Sequence, residues 1–489
     1  MINWRQIFRV IGVLLFIEAG QLFVTMLVAL LYKEDVLPYL WIILITVCLG
    51  GTGALIGKNA NKSMSRRDGY LTVSLVWLVF ALIGMLPFLF TGSINSISGA
   101  FFESMSGFTS TGSTILDNID ALPHGVIFWR SMTQWIGGIG IIFFTIALLP
   151  TFGVGEIKLF AAEATGPLHD KVHPRISVAV RWIGSVYLCL TVLCIISLLI
   201  CGMGIFDAIN ISMTTTATGG FSPHTKLFSD QFQSPAIEYV LTIFMFLSGV
   251  NYTLIYYSIL KGRIKKFFQN PELRAYLYIS ITSIIICTLF LTLTHESNDL
   301  ELSFRQSAFT VISLQTTTGF ANCDYTLWPL VLMPVLLFIM FAGACSGSTS
   351  GGFKCIRWAI LWEVLSNEFT RILHPRAVIP VKICGEMIST SVQKTLLAFC
   401  ALFLSSIFVG AFLLILFDSK SHIQYTEALS LSLSSISNVG PALDYYGPTH
   451  SWSVLCPASR FICGSLMLIG RLEIFPIMIL FTRRFWTKD

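Results

Sequence analysis

Four short runs of this chain place small polar residues beside glycine in a way suited to holding a bare cation. They read Thr109-Ser110-Thr111-Gly112-Ser113, Ala217-Thr218-Gly219-Gly220-Phe221, Thr316-Thr317-Thr318-Gly319-Phe320 and Ser437-Asn438-Val439-Gly440-Pro441. Glycine allows a left-handed backbone and close approach. Turns of this kind meeting on one axis present rings of carbonyl oxygens, which can replace the hydration shell of K⁺. The hydroxyls of Thr111, Thr218 and Thr318 add further oxygens. Taking Gly112, Gly219, Gly319 and Gly440 as equivalent, the turns lie 107, 100 and 121 residues apart. In each an alanine (Ala100, Ala208, Ala308, Ala428) precedes the glycine by eleven or twelve positions. Self-similarity at a regular interval signals repeated structural units.

Each turn follows an apolar segment too short to span a bilayer: 97–108, 205–217, 303–316 and 424–437. Such lengths predict re-entrant helices. Non-helical backbone at membrane depth is tolerated only where it is buried in protein or lines water. The C-terminal end of each short helix carries about half a unit of negative charge, which favours a cation at the turn.

The elements that must hold these turns are membrane spans. The chain has 489 residues, 54% hydrophobic and only 12% charged, against about 25% charged in soluble domains. A lipid bilayer is therefore its solvent. Ten segments are predicted to span: 8–32, 38–58, 70–91, 124–149, 178–202, 235–260, 274–295, 328–361, 391–417 and 452–482. The first continues too far, without a small-residue cleavage site, to be a signal peptide. Most of the 31 basic residues fall in the N-terminus, in 58–70, 158–181, 261–274 and 354–394, and at the C-terminus, which predicts both termini in the cytoplasm. The acidic loops on the other side can concentrate cations.

The expected fold is all-α and integral to the membrane. Two spans (1–69) precede four tandem units of span, short helix, turn and span, at 70–177, 178–273, 274–390 and 391–489, in a pseudo-fourfold arrangement. The eighth span is interrupted by Gly343, Ser346, Gly347, Ser348, Gly351 and Gly352. Glycine weakens a helix by about 1 kcal/mol per residue, and broken membrane helices mark binding or gating sites. A moving plug and a static kink for close packing are the two readings of that loop. Arg471 lies midway along the last span, where a charge must face water or a partner. It is expected to form an electrostatic barrier in a pore, with a structural ion pair as the alternative. Glu473, two residues on, points to another face of a helix.

Other chemistries are excluded by what the motifs lack. No C-x-x-C pair joins the twelve cysteines, so neither a disulfide framework nor a zinc site is expected. His124, His169, His173 and His374 have no metal-ligand spacing. No G-x-S-x-G or P-loop appears, so the chain is not read as an enzyme, and no nucleic-acid partner is expected.

With these residues in view, the chain resembles the Trk/Ktr/HKT superfamily of K⁺ transporters, and within it the bacterial Trk potassium-uptake membrane subunits. Phe101 to Thr109, the run Phe128-Trp129-Arg130-Ser131 with Gln134 to Gly138, the loop Gly343 to Lys354, and Gly470 to Phe475 carry the likeness. The resemblance implies K⁺ as the transported ion and one filter glycine per unit. It also implies an intramembrane gating loop, a homodimer, an inner-membrane location and a cytosolic nucleotide-binding regulatory ring of the TrkA type. Serine at the first filter position accompanies Na⁺ transport in the superfamily, so four glycines favour K⁺. A Na⁺- or H⁺-coupled symporter on the same scaffold is the alternative.

Overall fold

The computed structural model describes residues 2–61, 64–148, 176–260, 262, 264–294, 299–376, 379–383, 386–418 and 423–487. Most of the basic stretch at 158–181, with His169 and His173, lies outside them.

The first two helices, α1 (Trp4–Leu31) and α2 (Leu37–Ile56), form a hairpin in backbone contact. A Cβ on Gly12 would lie 2.6 Å from the Gly50 carbonyl, and one on Gly53 would lie 2.8 Å from the Phe8 carbonyl. Small residues are what membrane helices use for such approach. The hairpin is anchored by α3 (Arg66–Phe90). There Ser65 and Asp68 form a capping box, and Asp68 also accepts the Asn3 amide at 2.9 Å.

Four short helices follow, each flanked in sequence by two others: α4 (Ile97–Phe108) before α5 (His124–Leu148), then α6 (Ile176–Ile200) and α7 (Ile205–Thr216) before α8 (Pro235–Ser248) and α9 (Tyr252–Leu260). Next come α10 (Pro271–Thr294), α11 (Leu300–Gln315), α12 (Met333–Ala342) and α13 (Cys355–Leu373). The last group is α14 (Thr390–Phe417), α15 (Tyr425–Ser437), α16 (Pro457–Arg471) and α17 (Phe475–Met478). One two-stranded ladder, Lys382–Ile383 with Glu386–Met387, is the strand structure among the described residues.

The packing closes on itself. Each short helix contacts the long helices on either side of it in sequence. Each also contacts the preceding group's long helix: α7 packs on α5, α11 on α8, α15 on α12, and α4 on α16 at the far end of the chain.

Two expected spans are not continuous. The sixth bends by 98° between α8 and α9, and the tenth bends by 113° between α16 and α17. The first break has a partner for its backbone: Cys345 N–H donates to the Gly249 carbonyl at 3.0 Å, and Tyr252 N–H donates to the Gly347 carbonyl at 3.2 Å. The glycine-rich interruption of the eighth span thus satisfies the break in the sixth, as a dry environment requires. The second break falls at Glu473 and Ile474, both with positive φ (56° and 60°). Pro476 follows and has no N–H with which to continue the helix from the Leu472 carbonyl.

Gly53→Leu should cost on the order of 1–3 kcal/mol by forcing the hairpin apart. Thermal unfolding in detergent measures it; an unchanged midpoint contradicts the backbone contact.

Candidate functional site

The four turns share one backbone design. After each short helix the next unit of chain is left-handed, at Ser110, Thr218, Thr317 and Asn438, with φ of 50°, 50°, 57° and 56°. The amide one residue later reaches five residues back: Thr111 N–H to Ser106 O at 2.9 Å, Gly219 to Thr214 at 2.8 Å, Thr318 to Ser313 at 2.8 Å and Val439 to Ser434 at 3.0 Å. The left-handed residue itself bonds three back, Ser110 to Gly107 at 2.9 Å and likewise in the other turns. This is the Schellman arrangement, which uses the last free carbonyls of a helix.

That register places the glycines. Left-handed glycines stand at Gly112 (φ 91°), Gly220 (80°), Gly319 (80°) and Gly440 (105°). Gly219 occupies the position of Thr111, Thr318 and Val439. Sequence spacing paired Gly219 with the other three; the backbone pairs Gly220 with them. The doubled glycine hid the offset, which alignment of Gly220-Phe221 with Gly319-Phe320 reveals.

The four turns form a closed ring. A Cβ on Gly112 would fall within 3.0 Å of the Gly219 carbonyl oxygen, one on Gly220 within 3.0 Å of that of Thr318, one on Gly319 within 3.0 Å of that of Val439, and one on Gly440 within 3.0 Å of that of Thr111. Each left-handed glycine thus faces the oxygen that precedes the glycine of the next turn, and the fourth turn returns to the first. No side chain fits at these positions.

Buried polar pairs hold the ring from outside. Arg130 on α5 donates to Glu103 on α4 at 2.9 Å and to the Ser222 carbonyl at 3.0 Å. Glu103 accepts the Thr114 hydroxyl and the Ile115 amide. Arg305 on α11 reaches Glu238 on α8 at 2.7 Å, and Glu238 takes the Asn322 amide at 2.6 Å. The sequence reading gave none of these residues, nor Gln134, a role. Their signal was present: charged side chains of both signs in apolar helices need partners.

Beneath the ring lies the run 343–354 between α12 and α13. Thr349 Oγ1 donates to the Thr216 carbonyl at 3.0 Å below the second turn, and Gly351 N–H donates to Thr317 Oγ1 at 2.7 Å in the third. Gly351 abuts the Ser437 carbonyl of the fourth. Arg471 completes the set, donating to the Thr349 carbonyl (2.7 Å), to Ser110 Oγ of the first turn (3.2 Å) and to the Gly137 carbonyl (3.1 Å). It is only 3% exposed. Glu473 instead bonds Arg357 at 2.5 Å. Of the loop residues singled out from sequence, Gly351 meets the ring directly. Ser346 N–H bonds Glu272. Ser348 Oγ donates to the Cys345 carbonyl at 2.6 Å. Gly343, Gly347 and Gly352 supply positive φ (69°, 73° and 75°).

The chain matches the model of the TrkH family, described as cation transport protein, over residues 41–488. It is 35% identical to the Trk system potassium uptake protein TrkH of Escherichia coli K12, over 99% of this chain and 100% of that one. It is 33% identical to TrkG of the same strain, over 99% and 98%. The chain belongs to the TrkH family. The crystal structure of the potassium transporter TrkH from Vibrio parahaemolyticus superposes with a TM-score of 0.89 at 32% identity, covering 99% of this chain and 100% of that one. The family is one of transporters, in accord with the reading of the chain as a membrane protein that is not an enzyme.

At the outer rim of the ring, His224 joins two loops of this family member. Its Nδ1 lies 2.7 Å from Asp120 and its Nε2 lies 3.1 Å from Asp207. Asp207 raises the imidazole pKa above its ordinary value, with burial opposing and Asp120 assisting. Partial burial works to raise the Asp120 pKa, but hydrogen bonds from His224 and Thr225 outweigh it and hold the carboxyl below its usual range. The raised histidine pKa contributes stability that is complete below its unfolded value and lost as pH rises through the folded one. The lowered aspartate pKa contributes stability lost as pH falls through its folded value. Amide exchange in 117–122 and 222–226, corrected for intrinsic rates, should therefore accelerate as pH climbs past the His224 pKa. His224→Ala should flatten that rise; an identical profile in the variant contradicts the linkage.

Proposed function

We propose that this protein carries K⁺ into a bacterial cell across the inner membrane, through a pore formed by the four units at 70–177, 178–273, 274–390 and 391–489. The closed ring of left-handed glycines against neighbouring carbonyls carries this reading. A filter that strips water from K⁺ needs backbone oxygens in place of side chains along its wall, and the ring admits no side chain at Gly112, Gly220, Gly319 or Gly440. Thr111, Thr218, Gly219, Thr318, Asn438 and Val439 complete the filter. The short helices aim the negative ends of their dipoles at it. The fourth quarter differs chemically: Asn438 Nδ2 donates to Thr111 Oγ1 and to the Met467 carbonyl, both at 2.9 Å.

The run 343–352 is the gate. Its bonds to the second and third turns, its contact with the fourth, and its link through Arg471 to the first support reading it as a plug under the ring. Arg471 has no carboxylate among its hydrogen-bond partners, so its charge stands as a barrier to a cation leaving the filter. Opening requires the plug to withdraw. The helix α13 that leaves the plug lies within the basic stretch 354–394, the proposed docking surface for a TrkA-type nucleotide-binding ring. Both termini are cytoplasmic, and two copies of the chain pair in the membrane.

The test is ⁸⁶Rb⁺ uptake into liposomes holding the purified protein. Deleting 346–351, or Arg471→Ala, should raise flux about tenfold, the effect of removing roughly 1.4 kcal/mol of barrier. Flux that is unchanged or lower contradicts the plug.

A further inference from the structure

The second turn is built differently from the others. Behind the first turn, Thr109 Oγ1 and Thr111 Oγ1 are 2.7 Å apart; behind the third, Thr316 Oγ1 and Thr318 Oγ1 are 2.8 Å apart. The equivalent positions of the second turn are Ala217 and Gly219, which have no hydroxyls to pair. The vacated space holds the amide of Gln134, a fully buried side chain from α5 in the preceding unit. A Cβ on Gly219 would fall within 3.0 Å of all three heavy atoms of that amide.

The orientation of the amide follows from its partners. The Phe221 N–H can only donate, so it takes Oε1, at 3.0 Å. The Gly219 carbonyl can only accept, so it takes Nε2, at 2.7 Å. The two bonds bracket Gly220, the left-handed glycine of this turn. The Gly219 oxygen is also the atom that faces Gly112 across the seam with the first turn, and Gly220 faces the Thr318 oxygen across the seam with the third. One side chain thus fixes both seams of the second quarter. Four residues earlier on the same helix face, Arg130 holds Ser222 O at 3.0 Å and lies 4.2 Å over the Phe221 ring.

We propose that Gln134 is a positioning residue for cation selectivity. Its amide does for the second turn what a threonine pair does for the first and third, and it is matched to the absence of a side chain at Gly219. This rests on the filter reading above. A filter discriminates by holding its oxygens at the spacing a dehydrated K⁺ requires. Releasing the Gly219 carbonyl lets one quarter of the ring adapt to a smaller ion.

The test measures ⁸⁶Rb⁺ uptake by the full chain in liposomes, with K⁺ or Na⁺ as competitor, for wild type, Gln134→Ala, Gly219→Ala and the double variant. Gln134→Ala should let Na⁺ compete about tenfold better relative to K⁺ in the uptake that remains. Gly219→Ala should lower uptake about tenfold through its clash with the amide, and the double variant should recover most of that loss, because contacting residues couple non-additively. Gln134→Met fills the space without the hydrogen bonds and gives the same selectivity readout if Gln134→Ala does not purify as a single species. Unchanged Na⁺ competition in both Gln134 variants, or strictly additive losses in the double variant, overturns the proposal. A wild type blocked equally by K⁺ and Na⁺ instead overturns the filter reading, and that arm is read before any variant.

Discussion

Backbone that leaves a helix inside a bilayer must find every hydrogen bond within the protein, and the rest of this structure is organised around that demand. The four turns meet it by ending their helices in Schellman motifs, so that the last carbonyls are used locally and the following residues are free to extend. The interrupted eighth span meets it by bonding into the break of the sixth, through Cys345 to Gly249 and Tyr252 to Gly347. Neither interruption is self-sufficient. Their mutual completion makes the region under the ring one unit, and a movement of the 343–354 run must also be felt at the bend between α8 and α9.

Charge is handled in two ways. Glu103 with Arg130 is a buried pair and Glu238 with Arg305 a partly buried one, each with further hydrogen bonds, the condition under which such pairs hold together. Each joins a short helix to a long one and reaches the extended chain beyond a turn. Among the described residues Arg471 donates only to neutral oxygens, whereas Lys354, which donates to Ser350, lies in the field of Glu473 and Glu272. In the proposed pore, a cation that bonds only neutral oxygens opposes the passage of another. The paired charges beside the ring and Arg471 under it are therefore different devices: the first fix geometry, and in the proposed pore the second sets a potential.

Much of this was legible in the sequence because it rests on local signals. The short helices show as apolar runs of sub-spanning length, the turns as Thr/Ser-Gly clusters, and the eighth-span loop as a concentration of glycine. What stayed hidden depends on contacts between distant segments. Spacing alone does not tell Gly219 from Gly220; the turn register and the shared Gly-Phe pair do, and the Gly219 carbonyl is held by Gln134, 85 residues away. The bend at Glu473 sits in an apolar run that reads as continuous helix, and the Glu473 carboxylate there accepts from Arg357, 116 residues away. The break at Gly249 to Asn251 has only one glycine to mark it; the loop that fills it lies nearly a hundred residues on.

The central claim is that the ring of four turns receives a dehydrated K⁺. Anomalous diffraction from crystals grown in RbCl tests it most directly, because Rb⁺ is close to K⁺ in size and its position can be assigned by element. The account predicts an anomalous peak on the axis enclosed by Thr111, Gly219, Thr318 and Val439, bounded by backbone oxygens and above the Arg471 guanidinium. A ring that stays empty while Rb⁺ occupies another site in the membrane-spanning region would contradict it.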